Sequence, residues 1–424
     1  MNERTLCHIW NGLRFRHERL LDVDGQPLHL VYRGRWQAGP GPDFRGAIIA
    51  RGDGRLLHGD VEVHLRTADW ANHRHERDPL FNDVVLHVVL HHDGRASTSR
   101  QDGETVPVLA LSDYLLDEPP PVVDGPLLPW DDEPCRRLLS GWSDEQVGAL
   151  LDRAGDQRFR QHIAACEGDL AVLGPDETVY RRLFDALGYG QNRQPMRELA
   201  CRVPYADLAT AIHRLPAGER QPALSRLLLG AAGLDGGDAW CALFAPDAAP
   251  ARQRRGRWRL AGLRPANSPV RRLQGAAALL AASAPGGLAR RLCLDLPAGP
   301  PRAACRELRR RLVIPDPALG PRPWHLIGAG RAADIVVNVV LPCAAAYADL
   351  ASRPALADAA WAAYRAHPKL GENEITRLMA GLLLGSERRR LAHNARRQQG
   401  LLHIFRAYCD LRRCGECPAA GASD

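Results

Sequence analysis

The chain has 424 residues, 45% of them apolar and 25% charged, with a formal net charge of +7. That length exceeds one ordinary domain, the apolar share excludes a disordered chain, and the small basic excess permits a polyanionic partner such as nucleic acid without requiring one. No run of eighteen apolar residues marks a membrane span, the N-terminal residues lack a signal-peptide pattern, and the eleven cysteines follow no secreted disulfide rhythm, so a cytoplasmic protein without membrane contact is expected.

In chain order, residues 3–20 carry Leu6, Ile9, Trp10, Leu13 and Leu20 at helical spacing. A short strand is predicted over 28–32 and a second over 44–50, entered through Gly39-Pro40-Gly41-Pro42. Asp53-Gly54 signals a hairpin turn, and a third strand covers 56–66. Asp69 to about Leu80 reads as a helix capped by Asp69, Val84 to Leu90 as a strand buried on both faces, and 106–111 as a further strand. The expected fold class is α+β: an α/β domain over 1–117, a proline-rich linker over 118–134, a mostly helical region over 135–398, and a cysteine-bearing tail over 399–424. Ser143-Asp144-Glu145-Gln146 is a good helix start. Further helices are expected near 176–187, 204–214, 219–231, 269–283, 302–311, 331–351, 355–366, 372–384 and 394–409.

Strand alternation places Asp60, Glu62, His64 and Arg66 on one face and Val61, Val63 and Leu65 on the other. A tight turn at Asp53-Gly54 would set Asp43 opposite His64, with Glu62 diagonal to it. Asp43, Asp60 and Glu62 are therefore candidate ligands for Mg²⁺ or Mn²⁺. His64 is the candidate for handling a water proton, and Arg66 for neutralising charge on phosphate. His73 and His75 follow, and with His64 they offer a second possibility, a Zn²⁺ or Mn²⁺ site built on imidazole. His87, inside an apolar strand, reads as a hydrogen-bonded core histidine.

Cys409, Cys414 and Cys417 lie close together near the C-terminus, the last two at knuckle spacing. With a fourth ligand such as His403 they would suit Zn²⁺, or less readily an iron–sulfur cluster. Two arginine clusters, residues 252–264 around Trp258 and residues 388–397, read most plainly as solvated surface. Arg264, Arg271 and Arg272 beside Asn267 are candidates for phosphate contact, with buried ion pairing an equal alternative.

Pro42-Asp43 followed by Glu62-Val63-His64 resembles the motif of the restriction-endonuclease-like superfamily, with His64 where lysine is usual. A second alignment places Asp60 in the acid position and Glu62 in the lysine position. The order helix, three strands, helix, strand also resembles that superfamily's core. The resemblance implies a metal-dependent phosphodiesterase of the nuclease type; the alternatives are a non-catalytic scaffold on a degenerate nuclease-like fold and a zinc-dependent hydrolase. Over nearly its full length the chain resembles the bacterial family Domain of Unknown Function 2851. The segments that carry this are Gly41-Pro42-Asp43-Phe44, Gly59 to His64 with Asp69-Trp70 and His73, Leu86 to Val89, Ala186 to Tyr189 with Asn192, Arg264 to Asn267 with Pro269, Asn338 with Pro342, and the tail from Gln399 through Cys417. That family implies no activity.

Overall fold

Alternating and continuous apolar runs build a mixed sheet near the N-terminus, and 3.6-residue periodicity builds helices after it. The computed structural model describes residues 1–17, 19–36, 41–53, 55–94, 98–116, 135, 139–189, 192–235, 252–260, 267–284, 286–316, 325–409, 413 and 416–420. The expected linker over 118–134 and the residues Arg264 and Cys414 lie outside them. Two compact units are formed, the first from Met1–Gly141 with Arg406–Asp424 and the second from Trp142–Phe405.

The first unit opens with helix α1 (Glu3–Asn11). Its sheet contains β1 (Leu20–Leu21), β2 (Pro27–Tyr32), β3 (Arg35–Trp36), β4 (Phe44–Arg51), β5 (Leu56–Arg66), β6 (Val84–His91) and, as its last strand, Val108–Ala110. β2, β4 and β5 pair antiparallel, while β5, β6 and Val108–Ala110 run parallel. One face of β5 and β6, with Val61, Val63, Leu86 and Val88, joins a core with Leu6, Ile9 and Trp10 of α1. Trp10 is fully buried, stacks on Phe15, and donates its indole N–H to the Arg33 carbonyl. Burial of such a ring contributes roughly 2–3 kcal/mol. It leaves the opposite face of β5 to carry the polar side chains.

Three local expectations are corrected. The first helix ends at Asn11 rather than near residue 20: Gly12 follows it, Leu13 turns to φ +50°, and Leu20 pairs with Leu28 in the sheet. The helix expected over 69–80 is reduced to α2 (Asp69–Asn72) and two 3₁₀ turns, His75–Arg77 and Pro79–Phe81. Arg74 at φ +63° breaks it, and Pro79 has no N–H with which to continue a helical ladder. Asp69 is not its cap either, since Ala68 holds that position and an Asp69 carboxylate oxygen accepts from the Arg66 amide.

In the second unit, Ser143 and Gln146 form the reciprocal capping box that starts α3 (Asp144–Leu173). Helices Pro175–Gly188, Arg193–Arg202, Tyr205–Arg214, Ala217–Ala231, Pro269–Ser283, Pro301–Leu312, Pro354–Ala366 and Ala395–Ile404 follow among the described residues. The helical stretch Ala329–Leu350 is long and apolar enough to cross a bilayer by composition, but 72% of its most apolar window is buried inside the protein. Its side chains belong to the core of this unit. The arginines of 388–397 are largely ion-paired: Arg390 with Asp144, Arg397 with Asp152 and Arg396 with Asp156. Trp258, at the centre of the other arginine cluster, is a core residue bonded to the Ala232 carbonyl.

Candidate metal centre

The site is assembled by the register of β4 on β5. Ala50 pairs with Leu56 and Ala47 with Gly59, but Phe44 pairs with Val61 because a bulge intervenes. Gly46 supplies it with φ +70°, a conformation that suits glycine. The wider hairpin loop shifts the register by one residue and the bulge by a second. Two shifts restore the facing parity. Asp43 therefore stays on the polar face as expected, but it adjoins Glu62 rather than His64.

The contacts follow directly. The Asp43 amide donates to Glu62 Oε2 at 3.0 Å, and the Val63 amide donates to Asp43 Oδ2 at 3.0 Å. Glu62 Oε1 then lies 3.4 Å from His64 Nε2 and 3.4 Å from His75 Nε2. His73 Nδ1 is 3.0 Å from His64 Nε2. The three imidazoles of His64, His73 and His75 present ligand atoms all within 4.8 Å of one another. The break at Arg74 is what turns both His73 and His75 toward β5. Phe81 stacks on the His75 ring at 3.7 Å between centroids and fixes its plane.

Behind the cluster stands a second row. His64 Nδ1 is 2.9 Å from His87 Nε2, and His87 Nδ1 is 2.9 Å from Thr98 Oγ1. Of the two proton arrangements that satisfy the chain, the one that frees His64 Nε2 has His87 donating from Nδ1 to Thr98 and accepting at Nε2 from His64 Nδ1–H. The lone pair of His64 Nε2 is then left facing Glu62 and His73, the support that metal-binding imidazoles commonly receive.

Electrostatics favours neutral imidazoles and uneasy carboxylates. Burial, with His75 and His73 adding to it, pushes His64 down to about 3. Burial also lowers His75 and, strongly, His87. Asp43 and Glu62 are both pushed up, first by burial; for Asp43 the negative charge of Glu62 comes next.

The residues fit a transition metal. His75 Nε2 is buried and has no hydrogen-bond partner among the described residues, an unmet need that a cation would satisfy. Donor atoms on a tetrahedral zinc at about 2.05 Å stand roughly 3.3 Å apart; His73 Nδ1 is 3.0 Å from His64 Nε2, and Glu62 Oε1 is 3.4 Å from Nε2 of both His64 and His75. Imidazole donors suit Zn²⁺ or Mn²⁺ better than Mg²⁺.

Two of the expected residues are not gathered in. Asp60 Oδ1 accepts from the Gly46 amide at 3.0 Å, so its role is to hold the bulge. Arg66 is exposed at the end of β5. His75, read in the sequence only within the imidazole alternative, is central, and His87 is the buried support of His64. Of the C-terminal cysteines, Cys417 is buried and Cys409 half-buried.

A family model described as "Protein of unknown function (DUF2851)" matches residues 3–239. The chain belongs to that family. No curated protein and no solved structure matches it.

Proposed function

We propose that this member of the DUF2851 family is a transition-metal-dependent hydrolase, with phosphodiesters of nucleic acid as its substrate class. His64, His73 and His75 hold the metal, and the observation that carries the reading is the convergence of their ligand atoms within 4.8 Å of one another, with His75 Nε2 buried and making no hydrogen bond among the described residues. When bound, Zn²⁺ or Mn²⁺ supplies an acidified water and an electrophile for the scissile ester.

The protein's own groups do the rest. With His87 donating to Thr98, the pair would hold His64 in the tautomer that leaves Nε2 available to the metal. Glu62 Oε1, beside two of the imidazole nitrogens, is placed to take a proton from water. Burial raises the proton affinity of Glu62, and the Asp43 amide that donates to it offsets part of that rise. His73, exposed to solvent, marks the open side through which substrate would enter. The phosphodiester assignment draws support from the adjacency of the acid after Pro42 and the acid of β5, which follows the nuclease-like motif.

Incubation of the purified protein with Mn²⁺ or Zn²⁺ and mixed DNA and RNA tests this. Cleavage by the wild type that is lost in Asp43→Ala and His75→Ala is expected. Absence of cleavage, or equal cleavage by the variants, overturns it.

A second reading rests on Glu62 Oε1, whose two 3.4 Å spacings also suit a fourth ligand. Four protein ligands make a closed, structural site. Glu62→Gln separates the two: a structural site loses metal and stability together, whereas a catalytic one keeps metal and loses turnover.

A further inference from the structure

A different cluster, in the second unit, has the marks of a ligand site. Arg272 lies in the first turn of the helix Pro269–Ser283 and Arg331 in the first turn of the stretch Ala329–Leu350. Positive charge is disfavoured at a helix start, where the macrodipole is itself positive. Neither first turn contains an acidic residue to offset it.

Arg272 is only 6% exposed. It donates from Nη2 to Asn267 Oδ1 at 2.6 Å and from Nη1 to the Leu187 carbonyl at 3.3 Å, both neutral acceptors. Arg331 has Asp334 at 3.5 Å as its ion-pair partner. The Nε–H groups of Arg272 and Arg331 are both buried with no acceptor among the described residues. Two guanidiniums thus share one carboxylate, and two charge-bearing donors are left unmet, each an appreciable cost. Burial and the neighbouring Arg331 push Arg272 down to about 10, while burial pushes Asp334 up.

Tyr189 completes the cluster. Its ring lies 3.9 Å from the Arg331 guanidinium and 5.6 Å from that of Arg272. The residue is 50% exposed and adopts φ +57°, strained for a non-glycine residue, although Gly188 precedes it in the chain.

We propose that Tyr189, Arg272 and Arg331 form a binding site for a phosphoryl group. A carboxylate has two oxygens, which one guanidinium fork saturates. A phosphoryl group offers three or more, enough to serve two guanidiniums, and its higher charge offsets both. The Tyr189 ring closes one side of the site and meets solvent on the other. This inference is independent of the metal centre in the first unit.

The test is a calorimetric titration of the full-length, metal-free protein with inorganic phosphate, paired with melting curves against chloride at equal ionic strength. Metal removal keeps phosphate from reporting on the imidazole cluster. Saturating phosphate should raise Tm by roughly 2–4 °C over chloride, and Arg331→Gln should lose that rise. Arg310→Gln, at an exposed ion pair with Glu307, should keep it. No heat of binding to the wild type up to 10 mM phosphate (about 2.7 kcal/mol of affinity at most) overturns the proposal whatever the variants do. So does an equal rise in Arg331→Gln, and so does equal stabilisation by acetate, which would make the site a carboxylate site.

Discussion

Asp43 and Glu62 are tied reciprocally: the amide of Asp43 donates to the Glu62 carboxylate, and the Asp43 carboxylate accepts from the amide that follows Glu62, each at 3.0 Å. A buried and a half-buried acid are thereby held together by the backbones of adjacent strands. Such a pair is costly with both members ionised and no cation nearby.

The pH dependence of the metal-free protein follows. Both acids are raised above their ordinary values by burial, so the folded protein retains protons that the unfolded chain releases. Their contribution to stability is present below about pH 4 and is lost as pH rises through their raised folded-state values. Glu62→Gln should stabilise the metal-free protein at pH 8 relative to pH 5 by on the order of 1–2 kcal/mol. His64 acts in the opposite sense: its depressed folded value costs stability as pH falls from about 6.5 toward 3. Urea melts of wild type and variant at the two pH values check the sign, and a variant equally stabilised at both would contradict it.

The row behind the centre should matter without touching metal. Thr98→Val removes the hydrogen-bond partner of His87 and so loosens the tautomer of His64. Zinc affinity should fall roughly 10- to 100-fold, measured by competition with a chromophoric chelator. Unchanged affinity would remove His87 and Thr98 from the account.

The bulge sets the register, so Gly46 should couple fold and site. Gly46→Ala places a side chain at φ +70°, at a cost of about 1–2 kcal/mol. Because the bulge aligns Asp43 with Glu62, metal affinity should drop as well. A variant that loses stability but binds metal as tightly as wild type would show that the register does not position the site.

Packing in the second unit yields a separate prediction. A Cβ at Gly155 would stand 2.2 Å from the Arg396 carbonyl oxygen, and one at Gly400 would stand 2.2 Å from that of Leu151. Two helices approach backbone to backbone there. Gly155→Ala and Gly400→Ala should each cost about 1–3 kcal/mol, read from denaturant melts, with the imidazole centre still able to bind metal.

Much of this architecture was legible in the sequence. Leu56–Arg66 reads as a strand because Val61, Val63 and Leu65 alternate with Glu62 and His64, and that alternation places the acid and the imidazole on one face. The place of Asp43 after Pro42 marks it as a candidate. Its partner was not legible, because a one-residue bulge at Gly46 leaves no periodic signature. The convergence of His73 and His75 was hidden for a similar reason. It depends on a left-handed Arg74, and helical spacing over 69–80 masked the break that Pro79 hints at. His87 was legible as a buried histidine but not as support for His64, since that contact depends on the parallel pairing of β5 with β6.

The central claim is that one transition-metal ion sits among His64, His73 and His75. A crystal of the full chain grown with zinc, with anomalous differences recorded on both sides of the zinc edge, tests it most directly. The account predicts a peak about 2.0–2.1 Å from His64 Nε2 and His75 Nε2, absent in His75→Ala crystals. No peak at that position in wild-type crystals soaked to saturation would contradict it.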